Sequence, residues 1–257
     1  MSVTAFSFPT NIQFGAGARR LVAAHLREAG YQRPLLVTDK ALATLPVLDE
    51  FKTHLEGLDV AVFSGVFGNP TTSQVMAGAV AFIGHRADCI IGFGGGAALD
   101  VAKLVGVAAT HTGDIIEYVW DHPQSRAIEH SLPYLVALPT TAGTGSEVGR
   151  ASVISEDDSH LKRVVFHPKL LAKCVFADPE LTLSLPPHIT AATGIDALTH
   201  NIESYLSPAY HPLCDGIALE GARIAARALV TAVIEPDNLQ ARSDMMMASM
   251  LGAIAFQ

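Results

Sequence analysis

Between residues 35 and 140, short apolar runs alternate with segments of helical length, and no other feature restricts the fold as much. Leu35-Leu-Val-Thr-Asp39, Val60-Ala-Val-Phe63, Cys89-Ile-Ile-Gly-Phe93 and Tyr134-Leu-Val-Ala-Leu138 are short and apolar almost throughout. A strand with two apolar faces has to be covered on both, as in a parallel sheet between helices. The intervening segments suit those helices: Val47 to Leu55, a stretch ending near Arg86, and Ala97 to Ala109. Thr71 and Thr72 follow Asn69-Pro70 and can cap the second of these through a hydroxyl oxygen. Upstream, Ala18 to Ala29 reads as a helix stopped by Gly30, and Phe6-Ser-Phe and Ile12-Gln-Phe read as two short strands of a ribbon around Pro9.

After Pro186-Pro187 the texture changes. Ile189 to Leu206, Leu213 to Ile234 and Leu239 to Phe256 are long helical segments rich in Ala and Met. The change predicts an α/β unit over residues 1–184 and the first part of an all-helical unit over 185–257. Hydrophobic residues make up 49% of the chain and charged residues 16%, enough apolar material for packed cores and too little charge for a disordered chain. The net charge of −8, without a Lys/Arg cluster, argues against nucleic acid or an anionic membrane as partner. The three cysteines, Cys89, Cys174 and Cys214, are far apart, so neither a disulfide framework nor a structural zinc site is indicated. Cys89 reads as a small buried residue. The first residues lack the pattern of a secretory signal and no run is long enough to span a membrane, so a cytoplasmic location is expected.

In a doubly wound sheet, ligands bind beyond the carboxyl ends of the strands. Three loops fall at such ends. At the first, Asp39 can accept hydrogen bonds from a ribose 2′-hydroxyl and would repel a 2′-phosphate, favouring NAD over NADP; a helix cap or loop acid is the competing reading. The second, Gly92-Phe-Gly-Gly-Gly-Ala-Ala-Leu-Asp100-Val-Ala-Lys103, puts glycine between a strand and a helix start, where backbone N–H groups and the helix dipole attract an anion. Its spacing is not GxGxxG, so a tight structural turn stays open, and Asp100 can either cap or reach a ligand hydroxyl. The third, Pro139-Thr-Thr-Ala-Gly-Thr-Gly-Ser-Glu147, packs four hydroxyls and two glycines into nine residues, a loop of small donors and acceptors suited to a sugar, a ring amide or a phosphate.

In the helical part, Asp196 and His200 are four residues apart and share one helix face, with Ile195, Leu198, Ile202 and Tyr205 marking the apolar side. An oxygen and a nitrogen so placed can grip one divalent metal. An Asp–His hydrogen bond that merely steadies the helix is the commoner meaning of that spacing alone.

Taken in order, Gly94-Gly-Gly-x-x-x-Asp100, Pro139-Thr-Thr-Ala-Gly-Thr-Gly-Ser-Glu147, Asp178-Pro-x-Leu-Thr-x-x-Leu-Pro-Pro187 and Thr193-Gly-x-Asp-Ala-Leu-Thr-His200-x-x-Glu-Ser resemble the iron-containing (group III) alcohol dehydrogenases, from about residue 4 to the last residue. The resemblance implies a Rossmann-like α/β nucleotide domain followed by an all-α metal-binding domain. It implies NAD as cofactor, with Asp39 on the adenosine ribose; Asn69, Gly95, Gly96 and Ala97 around the pyrophosphate; Thr140, Thr141 and Thr144 on the nicotinamide side; Lys162 near the cofactor ribose; and Leu181 close to the ring. Asp196 and His200 match two metal ligands, for Fe²⁺ with Zn²⁺ as the alternative. The implied reaction is hydride transfer between NAD and a small primary alcohol or diol, in a homodimer. It assigns no catalytic residue among those present.

The chain departs from the family in two places. Ala97 stands where members often carry serine. The family's metal site takes one aspartate and three histidines, and no histidine follows His211; His188 and His211 are poor replacements. The expectation is therefore a C-terminally truncated member. Glycerol dehydrogenase-like and maleylacetate reductase-like enzymes of the same superfamily are the runners-up, and a non-catalytic NAD-binding fragment is the reading from another class.

Overall fold

The computed structural model describes residues 10–123, 125–208 and 210–256. Eight strands and seven α-helices alternate through the described part of the chain, joined by short 3₁₀ turns. The strands are β1 (Asn11–Phe14), β2 (Pro34–Asp39), β3 (Ala61–Val66), β4 (Cys89–Gly94), β5 (Tyr134–Pro139), β6 (Ala151–Ser155), β7 (Lys162–Phe166) and β8 (Cys174–Ala177). The helices are α1 (Val22–Glu28), α2 (Pro46–Thr53), α3 (Thr72–His85), α4 (Gly96–Thr110), α5 (Pro187–Leu206), α6 (Pro212–Ile234) and α7 (Leu239–Ala255).

Six strands form one parallel sheet in the order β1-β8-β5-β4-β2-β3. The period of two divides each strand between two cores. Leu35, Val37, Ile90, Leu135, Ala137 and Val175 pack with α3, α4 and the helical layer. Leu36, Ile91, Phe93, Val136, Leu138 and Phe176 pack with α1 and α2 on the opposite face. This is the doubly covered parallel sheet that uniformly apolar strands require. The chain leaves β2 towards β3 on one side, while β4 continues to β5 on the other, so the connections reverse direction between β2 and β4. A crevice opens at such a reversal beyond the strand ends.

The expected ribbon is only half accounted for. Ile12-Gln-Phe14 lies in β1, which pairs in parallel with β8 at the sheet edge, whereas Phe6-Ser-Phe lies outside the described residues. Six of the seven described α-helices stand within a residue or two of their sequence positions, with Thr71 as the α3 N-cap, its hydroxyl accepting from the Gln74 N–H; α1 starts at Val22 rather than Ala18, because Ala18–Leu21 forms a 3₁₀ turn. Periodicity missed the antiparallel hairpin β6–β7 and the short buried strand β8. Beyond β8, every α or β element of the described chain is helical, and α5, α6 and α7 pack on one another. Among the described residues no helix is long and apolar enough to cross a membrane.

A buried cation pins the edge of the sheet. The Arg19 guanidinium donates to Asp178 at 2.7 Å, to Glu180 at 2.5 Å and to Glu50 at 2.8 Å, and its backbone N–H also reaches Asp178. Asp178 is fully buried and caps the turn after β8 through the Glu180 N–H. It thereby joins the segment after β1 to the exit of β8. Removing Asp178 leaves Arg19 with Glu50 and Glu180 alone and takes the cap from the turn after β8, at a cost of about 2–4 kcal/mol. Asp178→Ala is therefore expected to lose about that much stability, read as a shift of the urea unfolding midpoint at unchanged slope.

Candidate active site

Asp39 ends β2 beside the crevice. Its Oδ1 accepts the Leu42 N–H at 2.8 Å, so the cap reading of this acid is realised, and Oδ2 remains open. Asp39 lines a cavity of about 440 Å³ together with Val66, Gly68, Gly95, Ala97 and Ala98. Gly95 is the N-cap of α4 and supplies no side-chain acceptor, so the first N–H groups of this helix face the cavity without a cap. An uncapped helix start beside a carboxylate suits a ligand with a phosphate and a vicinal diol.

The three consecutive glycines have separate structural reasons. Gly94 has φ +154°, and a Cβ there would sit 2.6 Å from Ala98 Cβ. At Gly95 a Cβ would meet Thr141 at 3.3 Å, and at Gly96 it would meet Thr144 at 2.8 Å. The glycines therefore let the threonine loop after β5 lie against the start of α4. The Thr140 N–H completes the contact by donating to the Gly94 carbonyl at 3.0 Å. Thr140 is buried, Thr141 half-buried and Thr144 exposed, so the loop presents hydroxyls in graded depth beside the helix terminus. Leu181 is buried in the cluster of Phe93 and Leu138 under the same loop.

On its other side the loop meets the helical layer. A Cβ at Gly143 would lie 2.9 Å from Thr193 Cβ in α5, and one at Gly145 would lie 2.7 Å from the Ser249 carbonyl in α7. Three residues past Thr193, Asp196 and His200 face each other across one turn of α5, with Oδ1 and Nε2 3.6 Å apart. The His200 ring packs edge-on against Phe256, and its Nδ1 is buried without a hydrogen-bond partner among the described residues. Among those residues no group of three or more His, Cys, Asp or Glu side chains could hold a metal ion.

Asp100 takes no free position facing a ligand. Its carboxylate accepts from the Ser146 hydroxyl at 2.6 Å and the Val153 N–H at 3.0 Å. Lys103, 3.7 Å from Asp100, donates to Ser146 Oγ at 2.8 Å and to the Ala151 carbonyl at 2.7 Å. Burial moves both groups towards neutrality, the Asp100 carboxyl up and the Lys103 ammonium down, while their attraction opposes the shift. Burial also pushes the neighbouring Glu147 carboxyl up to about 7. Lys103 is a structural anchor that the sequence reading did not single out; the signal was the i,i+3 spacing of Asp100 and Lys103 on one helix.

Asn69 and Lys162 are exposed and do not line the cavity. They are linked through the hairpin. Lys162 stands opposite Ser155 in the β6–β7 register, and the Ser155 N–H donates to the carbonyl of Pro70, next to Asn69.

The class of protein follows from this arrangement: a parallel α/β sheet with a switch-point crevice, sealed by a hydroxyl-rich loop against a helical layer that carries an oxygen–nitrogen donor pair. Sequence comparison places the chain within one family of that class. The model for "iron-containing alcohol dehydrogenase" matches residues 9–179 and that for "Fe-containing alcohol dehydrogenase family, C-terminal" matches residues 190–257, so the chain belongs to the iron-containing alcohol dehydrogenase family. It is 41% identical over 249 residues to a 4-hydroxybutyrate dehydrogenase of Cupriavidus necator, covering 96% of this chain and 65% of that one. Among solved structures it superposes on a 1,3-propanediol oxidoreductase at TM-score 0.93 and 37% identity, covering 99% of this chain and 66% of the other. A sulfoacetaldehyde reductase from Bifidobacterium kashiwanohense, solved in complex with NAD⁺, matches at TM-score 0.94 and 31% identity, with 100% and 67% covered. The chain thus spans about two thirds of the length of these relatives.

Two outcomes test the loop. Gly145 has φ +62° and no room for a methyl group, so Gly145→Ala adds backbone strain to overpacking. A loss of about 2–4 kcal/mol is expected in chemical denaturation. Glu147 has its pKa raised in the folded state, so the fold holds that proton more tightly than the unfolded chain does. Its contribution is favourable at low pH and is lost as pH rises from about 4.5 to about 7. Glu147→Gln should therefore gain stability relative to the parent across that interval, by up to ~3 kcal/mol, in denaturation curves taken at pH 5 and pH 8.

Proposed function

We propose that this chain binds NAD(H) in the crevice beyond β2 and β4 and works as an iron-dependent alcohol dehydrogenase or aldehyde reductase for a small primary alcohol or diol. One observation carries the reading: Asp39 and the uncapped first turn of α4 face a single cavity of about 440 Å³ at the switch point. Asp39 Oδ2 is the acceptor for the adenosine ribose, and its charge favours NAD over NADP. Gly95, Gly96 and Ala97, with Asn69, receive the pyrophosphate. Thr140, Thr141 and Thr144 line the nicotinamide side, Lys162 serves the second ribose, and Leu181 keeps water from the ring. In this reading residues 1–184 form the nucleotide unit, and the helices from residue 185 carry the metal.

Asp196 and His200 fit two positions of a divalent metal site. A separation of 3.6 Å is what two donors about 2.1 Å from one ion span. A bound Fe²⁺ supplies a Lewis acid that favours the alkoxide form of an alcohol, and NAD supplies the hydride acceptor. The chain's part is to hold the two reacting partners on either side of the threonine loop, which touches α4 and α5 at once. The named activities of its relatives, on 4-hydroxybutyrate and 1,3-propanediol, point to small ω-hydroxy substrates. A second reading, NAD binding without turnover, is favoured by the lack of a third metal-type side chain near Asp196 and His200 among the described residues.

The deciding experiment follows NADH formation anaerobically with Fe²⁺ across short alcohols and diols, beside NADH binding. Turnover that disappears in Asp196→Ala supports the main reading. NADH bound without turnover on any substrate supports the second. In either case Asp39→Ala should weaken NADH by about ten- to a hundredfold, the loss of hydrogen bonds to a charged acceptor. A parent chain that does not bind NADH sinks both.

A further inference from the structure

The hairpin β6–β7 forms a strap across the upper edge of the sheet. Its base is held from α4: Asp100 accepts the Val153 N–H, and Lys103 donates to the Ala151 carbonyl. Its tip is held at a different place, by one side chain. Asp157 accepts from the Ser73 N–H at 2.8 Å, from the Ser73 hydroxyl at 2.7 Å and from the Thr72 hydroxyl. Those donors are the first residues of α3, 84 and 85 positions away in the chain. The carboxylate is exposed, and these hydrogen bonds hold its pKa down to about 2, so it is charged throughout the working range.

This contact does more than cap a helix. The α3 terminus already has a local cap in Thr71, whose hydroxyl serves the Gln74 N–H. Asp157 instead clamps the strap tip onto the loop that joins β3 to α3. On that loop stands Asn69, and on the returning strand stands Lys162, both exposed, so their positions follow from the backbone beneath them. Towards that loop the tip also has the Ser155 N–H donating to the Pro70 carbonyl, with the bridge from Thr71 to Ser155, while on its other side β7 is tied by the Trp120 N–H to the Val164 carbonyl and by Arg163 to Asp121. Between the tip and the β3–α3 loop, one backbone bond sets the distance, and a charged clamp with three donors fixes the angle.

We propose that Asp157 is a positioning residue for the bound dinucleotide, holding Asn69 and Lys162 in place relative to one another through the clamp of the strap on α3. The proposal rests on the NAD-binding reading above. It assigns no contact between Asp157 and the cofactor. Loss of the clamp lowers affinity because the bound state then has to order the strap, as preorganisation requires. The base anchors on Asp100 and Lys103 remain, so the fold itself stays largely as stable as before.

The test is an NADH fluorescence titration of the 257-residue chain and of Asp157→Ala, Asp157→Asn and Asp39→Ala, with thermal unfolding of each without NADH. Asp157→Ala is expected to bind NADH about tenfold more weakly with its unliganded Tm within a few degrees of the parent, the scale of one lost charged cap. Asp157→Asn keeps one acceptor oxygen and should recover part of that loss. Parent-like binding by Asp157→Ala, while Asp39→Ala is weakened, overturns this inference and leaves the crevice reading standing. A fall in Tm that accompanies the loss of affinity, with no recovery in Asp157→Asn, also overturns it, by making the role structural. Failure of the parent to bind NADH, or binding indifferent to Asp39, overturns the crevice reading and this inference with it.

Discussion

The close packing of the loop over residues 140–145 is the contact on which the rest of the structure depends. It lies against Gly95 and Gly96 on one side and brings its own Gly143 and Gly145 against α5 and α7 on the other. A methyl group at Gly96, Gly143 or Gly145 would collide, and one at Gly95 would crowd Thr141 at 3.3 Å. Two layers that would otherwise meet through long side chains meet here through backbone. The result is a short, stiff path from the strand ends at Gly94 to the helix that carries Asp196 and His200. For the proposed reaction stiffness matters, because hydride transfer requires the two reacting carbons to be held within contact distance.

Beneath that loop the protein tolerates an expensive arrangement. Asp100, Lys103 and Glu147 are all buried, and burial drives each towards its neutral form. Such groups persist where their hydrogen bonds specify one geometry over its competitors. Here the bonds from Ser146, Val153 and Lys103 tie together α4, the threonine loop and the base of the hairpin. Helix α4 therefore has two roles: its uncapped first turn faces the cavity, and its second turn anchors the threonine loop and the base of the hairpin. Electrostatics along it are divided in the same way, with the free positive terminus outward and the compensated charges inward.

The Arg19 cluster serves the far edge. Asp178 lies directly after β8, and the turn it caps leads through Leu181 towards the prolines that start α5. The passage from sheet to helical layer is thus fixed by one buried carboxylate at its origin. Where the proposed chemistry sits between two layers, the joints between those layers matter as much as the residues proposed to touch ligand. Membership in the iron-containing alcohol dehydrogenase family agrees with this division, since separate family models match the sheet part and the helical part.

The sequence by itself determined the parallel sheet, because strands such as Leu35–Asp39 and Cys89–Gly94 have no polar face to turn to water. It determined the described α-helices to within a residue or two, except at the start of α1, from apolar periodicity, the stop at Gly30 and the start of α5 at Pro186-Pro187. Its ordered motifs identified the family. It did not reveal β6–β7, whose residues alternate only weakly, nor that Asp100 is spent on Ser146 and Val153, nor that Asp157 reaches α3. Those depend on partners dozens of residues away, which no local pattern encodes. The tertiary structure also decided why three glycines stand in a row at residues 94–96. Read locally they are a turn or a phosphate loop; in the fold, two of them make room for threonines of the loop after β5, because the Thr141 and Thr144 side chains come within 3.3 and 2.8 Å of the missing Cβ atoms.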